Sequence, residues 1–197
     1  MIDLSEYKLE TIRKDDEFIL YSGTRQTDAT ASSIFLLTPA LEHPAVVSLR
    51  RIEHEYSLQG ELDPDWAVIP IGLVKRDGRT MLVLANSGGD PLDRFIGTPL
   101  ELRQFLRLAI GLSAALGRLH ERGLVHKDIK PSNVLINSPT GQVWLTGFGI
   151  ASRLLRERQS PDPPEFIAGT LAYMAPEQTG RMNRSTDSRS DLYSLGV

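Results

Sequence analysis

The chain has 197 residues, of which 41% are hydrophobic and 24% charged, the composition of an ordinary globular protein with room for one domain or two small lobes. A net charge of -3 argues against a nucleic-acid grip or a polybasic membrane anchor, and the absence of cysteine excludes disulfides, zinc–thiolate sites and a thiol nucleophile. No basic segment followed by an apolar run opens the chain and no stretch reaches the ~18 apolar residues of a membrane span, so a soluble, cytoplasmic protein is expected.

In chain order, Phe18 to Tyr21, Ile34 to Leu37 and Thr80 to Ala85 are short apolar runs bounded by turn formers, hence strands; the last is entered through the turn pair Asp77-Gly78. Leu49 to Leu58 places Leu49, Ile52 and Tyr56 opposite charged residues and predicts a helix. Asn86 to Pro91 (N-S-G-G-D-P) is a turn-rich break. A long amphipathic helix follows, with Leu102, Phe105, Leu106, Ala109, Ile110, Ser113, Leu116, Leu119 and His120 on its apolar face and Gly123 as its stop. Two strands, Val134 to Ile136 and Val143 to Leu145, flank a Ser-Pro-Thr-Gly turn, and residues 151–190 read mainly as loop. A strand-rich part followed by a helix-rich part predicts an α+β protein in two lobes.

The chemistry concentrates in His126 to Asn133 (H-K-D-I-K-P-S-N), between the long helix and the strand pair. A carboxylate, an ammonium and an amide are presented on one loop. Phosphoryl transfer to an alcohol needs such groups: Asp128 to orient the hydroxyl and accept its proton, Lys130 to offset developing charge, and Asn133 to ligate Mg²⁺. His126 reads as a packed structural histidine.

This loop resembles the catalytic loop H-R-D-x-x-x-x-N of the protein kinase family, with Lys127 for the arginine. Lys130 matches its serine/threonine type. Leu145 to Ala151 stands where D-F-G belongs, with Phe148 as its aromatic. Gly169-Thr170 through Ala175-Pro176-Glu177 resembles an activation segment ending in A-P-E. Asp191 to Gly196 resembles the start of the helix supporting the loop. The run Gly169 to Ser185 is similar to bacterial multidomain signalling proteins in which a kinase-like domain precedes an ATPase region and often a sensor histidine kinase.

The resemblance implies a two-lobed fold: a small β-rich N-lobe at 1–85, a hinge at 86–92, and a helical C-lobe from 93 that is incomplete at Val197. It implies ATP near Leu84, Ala85 and Ser87, Mg²⁺ on Asn133, and Asp128 and Lys130 as catalytic residues. Glu55, His126, Phe148, Glu177 and Asp191 would be structural, with Glu177 an ion-pair partner and Asp191 an anchor for loop amides. Thr170 is a candidate substrate-side or phosphorylation site, or simply a loop residue. The implied partners are a protein substrate and attached downstream signalling domains, with no nucleic acid and no membrane insertion.

Three departures bear on catalysis. Gly147 replaces the metal-binding aspartate of D-F-G. The segment Leu9 to Phe18, at the place of the glycine-rich loop, contains no glycine and has the carboxylates Asp15, Asp16 and Glu17, with Arg13 and Lys14 as candidates to offset them. Leu36 or Leu37 occupies the place of the phosphate-contacting lysine, which leaves Glu55 as either a structural residue or a solvated one, and Arg50 or Arg51 as possible substitutes for the cation. Two readings follow: an ATP-dependent serine/threonine kinase, or a pseudokinase that binds or regulates.

Overall fold

The computed structural model describes residues 3–25, 33–76, 78–154, 168–180 and 185–197. They form two compact units, Met1–Gly89 and Asp90–Val197.

The first unit is an antiparallel five-stranded sheet with one α-helix among its described residues. Its strands are β1 (Tyr7–Lys14), β2 (Phe18–Arg25), β3 (Ile34–Pro39), β4 (Pro70–Arg76) and β5 (Arg79–Ala85), in the order β1-β2-β3-β5-β4. β3, the central strand, is buried along its whole length. Ile34 and Leu36 join Leu4 and Val83 in one apolar cluster. Strand alternation therefore turns Phe35 and Leu37 to the opposite face. At the β4–β5 connection Arg76 pairs with Arg79, and Gly78 has φ 75°, a left-handed conformation that glycine adopts without steric cost. Asp77, the other half of that expected turn, lies outside the described residues.

Helix α1 (Val46–Ser57) starts three residues before the expected Leu49. Its buried face is Ser48, Ile52 and Glu55, whereas Leu49 and Tyr56 are half-buried. The periodicity is masked because two of the three inward positions are polar. Two strands are not legible in the sequence. β1 corresponds to most of the segment matched to a glycine-rich loop, and it carries mostly exposed polar residues. β4 begins at a proline and contains Gly72, both of which weaken a strand signal.

The second unit is built around helix α2 (Leu102–Glu121). Gly123, at φ 73°, ends the helix by donating its N–H to the His120 carbonyl (2.9 Å). α2 packs on β9 (Gln142–Leu145), which pairs with β8 (Val134–Asn137), itself flanked by β6 (Asp90–Pro91). Gly111 permits the close approach of helix to strand: a Cβ there would stand 2.9 Å from Val143 Cγ2. β7 (Leu124–Val125) pairs with β10 (Ser152–Arg153), and α3 (Ser188–Gly196) closes the described chain.

The expected apolar face of α2 requires correction. Leu116 and Leu119 are buried, but Leu102, Phe105, Leu106 and Ile110 are exposed. The helix is apolar on two sides, and the side that packs within this unit holds Ala115, Leu116 and Leu119. The expected loop over 151–190 contains β10, two single 3₁₀ turns (Leu171–Tyr173 and Pro176–Thr179) and the start of α3. Residues 155–167 and 181–184, which include Pro161, Pro163 and Pro164, lie outside the described residues.

Candidate active site

The loop between β7 and β8 is held from below by a buried carboxylate. Asp191, fully buried on α3, accepts from the backbone N–H of His126 (Oδ2, 2.9 Å) and of Lys127 (Oδ1, 2.8 Å). Its Oδ2 also meets His120 Nε2 of α2 at 2.9 Å. Three elements thus converge on one carboxylate, which supplies the charge-assisted hydrogen bonds that fix a loop. Asp187 caps α3 by accepting from Arg189 N–H, which sets the start of the helix that carries Asp191.

His126 is completely buried. Its Nδ1 accepts from Asp128 N–H (3.3 Å), so its Nε2 carries the proton and donates to the Thr146 carbonyl (3.0 Å). Burial pushes its pKa below the ordinary value, which favours this neutral tautomer; the charges of Asp191 and Asp128 oppose the shift. The ring tilts against Phe148, itself fully buried, at 4.8 Å between centroids. Burial also lowers the Lys127 ammonium pKa, against the pull of Asp191.

Above this base lies a convergent polar set. Asp128 Oδ1 accepts from the Thr170 N–H and hydroxyl, both at 2.9 Å. Asp128 Oδ2 accepts from Asn133 Nδ2 (2.9 Å) and faces Lys130 Nζ at 3.2 Å. Lys130 Nζ donates to Thr170 Oγ1 at 2.7 Å. The Thr170 hydroxyl is therefore held between a carboxylate that accepts its hydrogen bond and an ammonium that donates to its oxygen. Asn133, 3% exposed, also donates to the Asp128 carbonyl (2.8 Å), so its amide locks the aspartate from two directions.

Glu177 is half-buried and accepts from Ser190 Oγ (2.6 Å), a partner among the described residues. Glu55 is 2% exposed, so it is not solvated. Leu84 and Ala85 lie on β5, and Ala85 N–H donates to the Ile69 carbonyl (2.8 Å). Ser87 Oγ is buried with no hydrogen-bond partner among the described residues. Leu37 rather than Leu36 lies on the sheet face away from the Leu4 cluster, and it is buried.

The turn between β1 and β2 is satisfied by its own side chains. Asp15 Oδ1 accepts from the N–H groups of Glu17 (2.9 Å) and Phe18 (2.7 Å). Glu17 accepts from Ser48 Oγ (2.9 Å) and pairs with Arg51 of α1. The turn amides that would have to face a phosphate are filled by a carboxylate, and Arg51 is committed to Glu17.

A resident Mg²⁺ would have the Asn133 amide as its ligand on this loop, with little carboxylate support beside it. Both oxygens of Asp128 already accept hydrogen bonds. Position 147 offers no side chain, and no group of three or more His, Cys, Asp or Glu among the described residues is arranged to hold a metal. The space beside Gly147 is taken: a Cβ there would stand 2.7 Å from Asn133 Oδ1 and 2.8 Å from its Cγ, on a backbone at φ 80°.

Gln178 is a residue that sequence reasoning missed. It is 6% exposed, accepts from Ala175 N–H (Oε1, 3.1 Å) and donates to the Lys127 carbonyl (Nε2, 2.7 Å). Its signal is local: glutamine at the third position of a turn opened by Pro176 reaches back to the capping amide. His120 is legible in the sequence only as a member of a helix face.

The protein kinase domain model matches residues 37–197. The serine/threonine-protein kinase PknA of Mycobacterium tuberculosis is 36% identical over 163 residues, covering 81% of this chain and 33% of that protein. Pkn1 of Myxococcus xanthus, also a serine/threonine-protein kinase, is 37% identical over 60% of this chain and 17% of its own length. PknB of Mycobacterium leprae is 31% identical over 80% of this chain and 22% of its own length. The chain thus spans a third or less of these curated relatives. With its antiparallel sheet in one unit and its anchored H-K-D-I-K-P-S-N loop in the other, the chain belongs to the protein kinase family, alongside bacterial serine/threonine kinases.

Proposed function

We propose that the chain is a serine/threonine-type phosphotransfer domain of bacterial signal transduction, taking the terminal phosphoryl group of ATP to a hydroxyl of a protein substrate. The observation that carries this reading is the hydroxyl held between Asp128 and Lys130. Asp128 accepts the alcohol proton as its oxygen attacks, and Lys130 offsets charge developing on the transferred group. Asn133 keeps Asp128 oriented, and Asp191 keeps the loop in register. The N-lobe at 1–85, the hinge at 86–92, and ATP near Leu84, Ala85 and Ser87 belong to this reading. So do a cytoplasmic location and attached signalling domains in a longer chain. Among the described residues no helix is long and apolar enough to cross a membrane.

The family's ATP chemistry uses Mg²⁺, for which this chain supplies no charged ligand at position 147, so slow transfer is expected. The same feature favours a second reading: a pseudokinase that retains the fold to bind or regulate. Transfer of radiolabelled phosphate from ATP to protein by the full-length protein separates the two. Under the first reading Asp128→Asn lowers the rate by roughly 10²- to 10⁴-fold. Transfer absent from the wild type supports the second reading, and transfer that survives the substitution excludes Asp128 as the base.

A further inference from the structure

Lys127 has φ 69° and is the one non-glycine described residue in the left-handed region. A long side chain meets a steric cost there and persists only where its surroundings impose the conformation. On the N-terminal side, Asp191 holds the Lys127 N–H. On the C-terminal side, the peptide joining Lys127 to Asp128 is gripped at both ends: His126 Nδ1 takes its N–H, and Gln178 Nε2 donates to its carbonyl at 2.7 Å.

Gln178 is suited to this grip. Its Oε1 is committed to Ala175 N–H, which fixes the amide so that only its NH₂ faces the loop. Segment 168–180 also leaves room for the same carbonyl: a Cβ on Gly169, whose φ is 124°, would stand 3.2 Å from Lys127 O. Rotation of that peptide would swing Asp128 away from Lys130 and Thr170.

We propose that Gln178 is a positioning residue that clamps the Lys127–Asp128 peptide and so sets the direction of the Asp128 carboxylate. The consequence for catalysis rests on the phosphotransfer reading above, whereas the clamp itself does not.

The test uses the full-length protein with Gln178→Glu, which keeps the acceptor for Ala175 and replaces the donor with an oxygen, and Gln178→Leu, which removes both. Amide hydrogen exchange at Lys127 and Asp128 is expected to speed up by about tenfold or more in both variants. Amides of α3 should keep their protection, which certifies the fold. In a transfer-competent wild type, kcat should fall roughly 10- to 100-fold with KM for ATP unchanged, because a displaced base slows the chemical step and not nucleotide binding.

Unchanged exchange at both amides in both variants overturns the clamp. Faster exchange with unchanged kcat overturns the positioning role. Faster exchange in a protein whose wild type transfers no phosphate upholds the clamp and defeats only the phosphotransfer reading.

Discussion

The loop at Asp128 and the turn at Asp15 both gather carboxylates and backbone amides, yet they use them in opposite ways. At the turn, Asp15 satisfies the amides of its own next residues and Glu17 ties down α1. These polar groups serve local structure. At the loop, groups from α2, α3 and segment 168–180 converge so that one carboxylate faces a hydroxyl and an ammonium. The difference teaches how the two regions use their polar groups: one network orients the Asp128 carboxylate toward the Thr170 hydroxyl, whereas the Asp15 turn closes on its own amides.

The largest effect is expected where the loop is anchored. Asp191→Ala strips a fully buried acceptor from two backbone N–H groups and from His120, so about 3 kcal/mol or more of stability should be lost in urea denaturation. A loss below about 1 kcal/mol would mean that the loop is held by something else. Gly147→Asp comes next. Restoring the family's side chain drives a Cβ into the Asn133 amide on a left-handed backbone, so about 1–3 kcal/mol should be lost in thermal or chemical unfolding. An unperturbed melting temperature together with new Mg²⁺ dependence would show that Asn133 yields, and would shrink the contrast between the two sites.

Acidification sharpens the same point. The native His126 imidazole resists protonation, so below its ordinary value of 6.5 the unfolded chain binds the proton that the folded chain refuses. This group's contribution is intact above that pH and declines as pH falls below it, which chemical denaturation at a series of pH values measures. The smallest effect belongs to the turn. Glu17→Gln weakens a partly exposed ion pair with Arg51, for less than about 1 kcal/mol by denaturation.

Legibility in the sequence divides along physical lines. The loop, the A-P-E segment and the start of α3 are contiguous runs whose spacing carries meaning, so Asp128, Lys130, Asn133 and Asp191 can all be picked out from residue order alone. β3 and β5 announce themselves as apolar runs. β1 does not, because a strand with mostly exposed polar residues looks like a loop. The start of α1 is hidden because its first inward residue is the polar Ser48. The solvation alternative for Glu55 fails because burial is a tertiary property. The capping role of Gln178 is local, but its reach to Lys127 and that of His120 to Asp191 span 51 and 71 positions, distances that no local pattern covers.

The claim that the hydroxyl side is built while the metal side is filled is tested most directly by hydrogen exchange. The full-length protein would be followed at residues 126–133 and 145–149 with ATP, in Mg²⁺ and in EDTA. The same protection of these segments is expected in both. Protection at Asn133 and Gly147 that appears only with Mg²⁺ would contradict it.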